Sequence, residues 1–179
     1  MNTKLILLII TFSMGLLACD SSNVTSDPFC ITEKDLKEQI SKKDLTFVFF
    51  YTSWCGGSNY NYENYVLPYH KKIIKTNTNA QILMIAGDDA VSEEKIKEIK
   101  NEGILSYRLS NAGAFPPKNR YKIRKFIESA FPNQEVEQTK GFGFAIPVDL
   151  IINKKGEILN LTDSIDSYGI LYKYIEENK

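Results

Sequence analysis

Trp54-Cys55-Gly56-Gly57-Ser58 contains the residues of this chain best equipped for chemistry. The segment follows directly on the apolar run Leu45 to Tyr51, so Cys55 falls where a buried strand gives way to a helix. There it meets unpaired backbone N–H groups and the positive end of a helix dipole, which together favour a thiolate. A sulfur so placed is a nucleophile. It can attack a disulfide, exchange with a small thiol, or pass through a sulfenic acid that an outside donor reduces. His70, the only histidine, sits on a helical segment beside Lys71 and Lys72 and reads as solvated surface rather than a general base or metal ligand.

The surrounding elements follow from periodicity. Leu45 to Tyr51 is apolar at nearly every position, as expected of a central strand covered on both faces. Thr32 with Asp35 resembles an N-terminal cap for a short charged helix carrying Leu36 and Ile40. After Ser58, the residues Tyr62, Tyr65, Val66, Tyr69 and Ile73 recur at helical spacing and predict an aromatic face laid on the sheet, kinked at Pro68. That face reads as core packing before it reads as a peptide groove. Ala80 to Ala86 is a second buried strand, and Val91 to Asn101 a helix with Ile96 and Ile99 inward. Arg120 to Ala130 forms an added helix, and Ala114-Phe115-Pro116-Pro117 is expected to be loop. Phe144 to Ile152 is a strand interrupted by Ile146-Pro147; Asn153 to Gly156 turns, and Glu157 to Leu161 returns as its hairpin partner. A final helix, 164–178, brings Ile170, Leu171, Tyr174 and Ile175 to one face. Alternation of strand and helix argues for an α/β layer with a mostly parallel sheet.

The remaining composition sets limits. Lys4 followed by apolar residues from Leu5 to Leu17 reads as a secretory signal over residues 1–18, too short to span a bilayer comfortably. Leu16-Leu17-Ala18-Cys19 is similar to a bacterial lipobox, which implies lipid attachment at Cys19, a membrane anchor and a position in the cell envelope, facing the periplasm or the outer side of the membrane. An ordinary signal peptide with an incidental cysteine is the plainer alternative. Residues 19–31 form a polar tether, and about 160 residues remain after the signal, enough for one domain with a proper core. Lys and Arg number 22 against 22 Asp and Glu, without a basic cluster, which disfavours nucleic acid as a partner.

Taken in order, strand, W-C-x-x-S, helix, Ile-Pro, hairpin and terminal helix resemble the thioredoxin-like superfamily over about residues 32–179, with an insertion at about 107–144. The extra strand and helix between Ala80 and Ser110 are similar to the TlpA-type and peroxiredoxin branch. The resemblance implies an α/β fold, a central mixed β-sheet flanked by helices on both faces. It also implies a cis bond at Pro147, packed against the active cysteine, and substrates that are cysteine-containing proteins or small thiols, with no cofactor. In its terms Cys55 is the nucleophile, Trp54 shields it, Ser58 hydrogen-bonds it, and Pro147 shapes a cleft in which Ile146, Gly56 and Gly57 meet substrate. Gly141 and Gly143, between Phe142 and Phe144, would let a peptide backbone approach, or serve a turn.

The chain also departs from that pattern. Ser58 replaces the second cysteine, so an internal disulfide cannot complete a two-electron cycle and one-thiol chemistry remains. Without paired cysteines a copper-carrying metal set is broken too. Phe49 occupies the place of a buried acid that helps move protons in many thioredoxins. Thr52 fits the peroxidatic pattern P-x-x-x-T-x-x-C, but Val48 stands at its proline. Cys30 is left with three readings: a distant resolving thiol for Cys55, a structural disulfide closed with Cys55, or an unpaired small residue in the tether. A redox-inactive binding module on the same fold is the rival function.

Overall fold

The computed structural model describes residues 27–109, 116–134, 146–162 and 166–178. The signal sequence at 1–18, the anchor Cys19, most of the tether and the segment Gly141 to Phe144 lie outside the described residues. Among those described, no helix is long and apolar enough to cross a membrane.

Six strands make one mixed sheet: β1 (Cys30–Ile31), β2 (Leu45–Tyr51), β3 (Ala80–Ala86), β4 (Leu105–Leu109), β5 (Val148–Asn153) and β6 (Ile158–Thr162). Their spatial order is β1-β4-β3-β2-β5-β6. β2, β3, β4 and β1 run parallel, whereas β5 and β6 are antiparallel additions. Burial at all seven positions of β2 follows from that central place, since helices cover both of its faces. Val48 and Phe50 face a layer formed by α1 (Glu33–Ile40) and α5 (Pro116–Ala130). Phe47, Phe49 and Tyr51 face α3 (Leu67–Thr76), α4 (Glu93–Asn101) and α6 (Asp166–Glu177).

Local chemistry accounts for the helix boundaries. Thr32 and Asp35 form the expected capping box on α1, and Ser92 caps α4 through the Lys95 N–H. The helix that begins with α2 (Gly56–Asn61) passes through a π turn, Tyr62–Val66, before continuing as α3. Leu67 N–H bonds back to Tyr62 O, five residues away. Pro68, just beyond, lacks an N–H and crowds the carbonyl four residues before it, so the widened turn takes the place of the expected kink.

Several sequence expectations are corrected. Pro116 and Pro117 open α5 instead of lying in a loop; a proline in the first turn loses no helical bond and has a suitable φ. β5 starts at Val148, so Pro147 precedes the strand and removes no ladder bond within it. On α6, Tyr168, Leu171 and Ile175 form the buried stripe, while Ile170 faces solvent. Tyr168, absent from the expected apolar face, stacks on Tyr65 at 4.7 Å and on Tyr69 at 6.0 Å.

His70 is also corrected from surface to interior, with 7% of its area exposed. It lies four residues after Val66 and three before Ile73, on the face of α3 that meets the core, and packs against Gly103. Its Nε2 is 3.1 Å from Glu102 O, which makes that nitrogen the donor and leaves Nδ1 buried with no hydrogen-bond partner among the described residues. Burial lowers the His70 pKa, against the opposing pull of the Glu102 carbonyl. The folded state thus prefers the neutral ring. Its contribution is complete above the unfolded-state value of about 6.5 and is lost as pH falls through that value toward the lower folded one. Urea midpoints are therefore expected to drop between pH 7.5 and pH 5, and to drop less in His70→Gln; equal drops would refute the assignment.

Candidate active site

The loop from Thr52 to Cys55 is held from two sides. At the end of β3, the Asp88 carboxylate is buried and accepts from Ser53 N–H at 2.8 Å, from Ser53 Oγ at 3.2 Å and from Val91 N–H at 3.1 Å. Gly87 N–H donates to Tyr51 O at 2.8 Å, closing the strand end beside it. Asp88 is a positioning residue that sequence reading missed. Its signal was an acidic residue two positions after the buried run Ala80 to Ala86, at the same end of the sheet as Cys55. Burial pushes the Tyr51 phenol up to about 12, with the Ser106 hydroxyl opposing and Asp88 reinforcing the rise, so this end of β2 carries a neutral ring.

Cys55 is the N-cap of α2, with extended backbone and no side-chain cap bond of its own. Ser58 N–H bonds Cys55 O at 3.0 Å and begins the helix. The sulfur is free and partly exposed. Its S–H donates to Ile146 O at 3.2 Å, a contact between residues ninety-one positions apart. The Ile146-Pro147 peptide is cis. A Cβ placed on Gly57 would stand 3.6 Å from Cys55 Sγ and 3.6 Å from Pro147 Cδ, so the glycine fills the gap between sulfur and proline. β5, antiparallel to β2, brings Pro147 to the level at which Cys55 leaves the sheet.

This topology, with a cysteine capping the helix after the central strand and a cis-proline carbonyl against its sulfur, settles the architecture. The fold is thioredoxin-like. In that fold Cys55, Gly57, Ile146 and Pro147 come together, with Trp54, next to Cys55 in sequence, 44% exposed and Gly56 open to solvent. Ser58 is buried, and its described bond is to Thr52 N–H, which its Oγ accepts at 3.4 Å. Thr52 is buried as well, and Val48 lies in the core of β2.

Cys30 neither resolves Cys55 nor forms a structural disulfide with it. It is disulfide-bonded, while Cys55 is free. The sheet order gives the reason: Cys30 pairs with Arg108, Arg108 with Ala86 and Ala86 with Tyr51, so three strand spacings, about 14 Å, separate Cys30 from the strand that leads to Cys55. A disulfide needs Cα atoms within about 7 Å.

No protein-family model and no curated protein sequence matches the chain. Solved structures similar to it include a thiol:disulfide interchange protein from Bacteroides sp., 15% identical, covering 79% of this chain and 78% of that one at a TM-score of 0.47. Another is a thioredoxin-family thiol:disulfide interchange protein from Chlorobium tepidum, 14% identical, covering 77% and 81% at 0.44. A third is a secreted thiol-disulfide isomerase from Corynebacterium glutamicum, 10% identical, covering 79% and 75% at 0.47.

Proposed function

We propose that this thioredoxin-like chain carries out thiol-disulfide exchange with Cys55 as its sole nucleophile. The observation that supports it best is the free sulfur at a helix start with its S–H on Ile146 O beside cis Pro147. A thiolate of Cys55 attacks a substrate disulfide R–S–S–R′, forms Cys55–S–S–R and releases R′–S⁻. A second thiol, from the substrate protein or a small molecule, then attacks the mixed disulfide and frees Cys55. With no cysteine at position 58, the cycle is one of shuffling and monothiol exchange. Trp54 limits access to the sulfur, the Ser58 hydroxyl supplies a donor in the same turn, and Gly56, Gly57 and Ile146 line the approach. Residues 1–18, read as a secretory signal, would carry this activity to an oxidising compartment, where protein disulfides are its substrates.

Treating the reduced full chain with glutathione disulfide tests this directly. The expected product is a glutathione adduct mapped to Cys55 by mass spectrometry, absent in Cys55→Ala. An unmodified Cys55, under conditions that modify a free cysteine peptide, would refute the exchange reading. The second reading, a binding module without redox turnover, is favoured by the Ser58 hydroxyl oxygen, which serves the Thr52 N–H inside the loop. It predicts equal capture of a protein partner by wild type and Cys55→Ala.

A further inference from the structure

α5 is charged against its own dipole. α1 and α4 place acids in their first turn and a lysine in their last, the order that complements the partial charges of helix ends. In α5 the order is inverted: Lys118, Arg120, Lys122, Arg124 and Lys125 crowd its first ten residues, no acid stands in the first turn, and its one carboxylate, Glu128, comes near the end. Lys118 with Lys122, and Arg120 with Arg124, are like charges four residues apart, which repel on a helix. Stability gains nothing from this arrangement, and a broken local rule without structural gain marks a functional surface. The chain-wide balance of 22 cations and 22 anions conceals the cluster, which corrects the expectation of an evenly spread charge.

The cationic half of α5 is the half nearer Cys55. Beyond the other end of the helix, Gln134 donates to Gly156 O and accepts from Ile158 N–H, both at 2.6 Å, in the turn after Asn153, which pairs with Leu45 at the start of β2. Phe126 meets Phe50, one residue before the end of β2, with ring centroids 6.2 Å apart. A Cβ on Gly87 would stand 2.6 Å from Ile123 Cδ1, so glycine lets the helix close on the end of β3. Gly87 bonds Tyr51 O, and its neighbour Asp88 holds Ser53, two residues before Cys55. Ile123 therefore lies at the strand ends from which Cys55 leaves, flanked by the half-buried Lys122 and Arg124. Tyr121 and Lys125 stand out to solvent, the ammonium 4.9 Å from the ring centroid. Arg124 is bonded to Glu128 at 2.7 Å, which offsets one of the five charges. Exposed acids at this end, Glu63 of the π turn and Glu93 and Glu94 of α4, belong to elements packed on the other face of the sheet, and Asp89 to the loop after β3.

We infer that the cationic half of α5 is a docking surface for an acidic polypeptide, and that it favours, in the exchange at Cys55, disulfides carried by segments rich in Asp and Glu. Opposite charge concentrates such a segment beside the sulfur and speeds its encounter, an effect that salt removes. Carboxylates of the segment accept from the lysine and arginine side chains, and Tyr121 offers an aromatic face to the same chain. The bond changes are those of the exchange itself: the Cys55 thiolate bonds one sulfur of the partner's disulfide, and the other sulfur leaves as a thiolate that takes a proton from solvent. The substrate preference rests on the exchange reading, whereas docking does not.

The test uses three synthetic peptide disulfides that differ only in flanking glutamate, glutamine or lysine, each reacted with the reduced full chain and, for normalisation, with 2-mercaptoethanol. At low salt the wild type is expected to react roughly five- to tenfold faster with the glutamate peptide than with the lysine peptide, and about equally with both at high salt. Arg124→Gln/Lys125→Gln should lose most of that preference and keep the glutamine-peptide rate. Lys75→Glu, an equal change of charge in the last turn of α3 at the far end of the sheet, should keep both. Should the double variant fail to fold, Lys125→Gln alone, with about half the loss, decides. A wild type without preference, a preference that survives high salt, or one unchanged in the α5 variants would overturn the proposal. So would binding to phosphatidylglycerol vesicles that the α5 variants lose while no peptide preference exists, since the surface would then fit a lipid headgroup. If none of the three peptides reacts, the exchange reading falls, and salt-sensitive binding of a cysteine-free glutamate peptide, read by Trp54 fluorescence, still decides docking: its presence in wild type and loss in the α5 variants supports the surface, its absence overturns it.

Discussion

Ser58→Cys is expected to convert this chain from slow monothiol exchange to faster dithiol turnover as a disulfide reductase. In the proposed exchange the mixed disulfide on wild-type Cys55 waits for a thiol from outside. Residue 58 lies one helical turn from Cys55, with its N–H already on Cys55 O at 3.0 Å, and that spacing places the two Cα atoms within disulfide range. A thiol at position 58 can therefore expel the substrate and leave an internal disulfide between Cys55 and the introduced sulfur, which an external dithiol reduces. The cost is the bond from Thr52 N–H to the Ser58 oxygen, since sulfur accepts more weakly; about 1 kcal/mol of stability is at stake. Insulin reduction with dithiothreitol as donor should rise by about tenfold or more over wild type. Peptide mapping of the oxidised variant should show the new bridge. A variant that forms no bridge, or that turns over no faster than wild type, would place the nucleophile outside its inferred setting.

Phe47→Ala should cause the largest loss of stability, about 3–5 kcal/mol. Phe47 is fully buried in the middle of β2, between Ile82 on β3 and Ile151 on β5. Its ring lies 5.3 Å from Tyr168, which in turn carries the stacked Tyr65 and Tyr69. Truncation thus opens a cavity under the contact that joins α6 to the helix descending from Cys55. Against a typical total of about 5–15 kcal/mol, such a loss leaves a marginal fold. Urea titration followed by tyrosine and tryptophan fluorescence measures it, and Phe47→Leu should retain most of the lost stability. A change below about 1 kcal/mol would mean that this face is not packed as described.

What could be read from residues alone was whatever a short stretch of chain decides by itself. The uninterrupted apolar run Leu45 to Tyr51 had to be a strand buried on both faces, because no other short element hides side chains in every direction. Thr32 with Asp35, and the Asn153 to Gly156 turn, act within four residues and were legible for that reason. Cys55 at a helix start was legible from the change of pattern after Tyr51. The His70 side chain was misjudged because its neighbours Lys71 and Lys72 dominate the local composition, while burial depends on which helical face meets the sheet. Pro116 and Pro117 carry the same ambiguity, since proline both breaks helices and begins them.

Asp149 shows the limit most clearly. Within Val148 to Asn153 a single acid would ordinarily mark a solvent-facing position or a strand edge, and only the placement of β5 between β2 and β6 encloses it. Cys30 is the matching case, for its distance from Cys55 follows from the number of strands between them, which no local pattern encodes. The amino-acid order alone determined most of the elements, their succession and the cysteine at a helix start, since these depend on side-chain periodicity and backbone chemistry over a few residues, whereas β1 and β4 were not legible in it. Tertiary structure decided which distant groups meet that sulfur, setting Ile146 and Pro147 against it and Cys30 out of reach. The reason is that strand order and register are chosen by burial summed over the whole sheet, a quantity that no single segment contains.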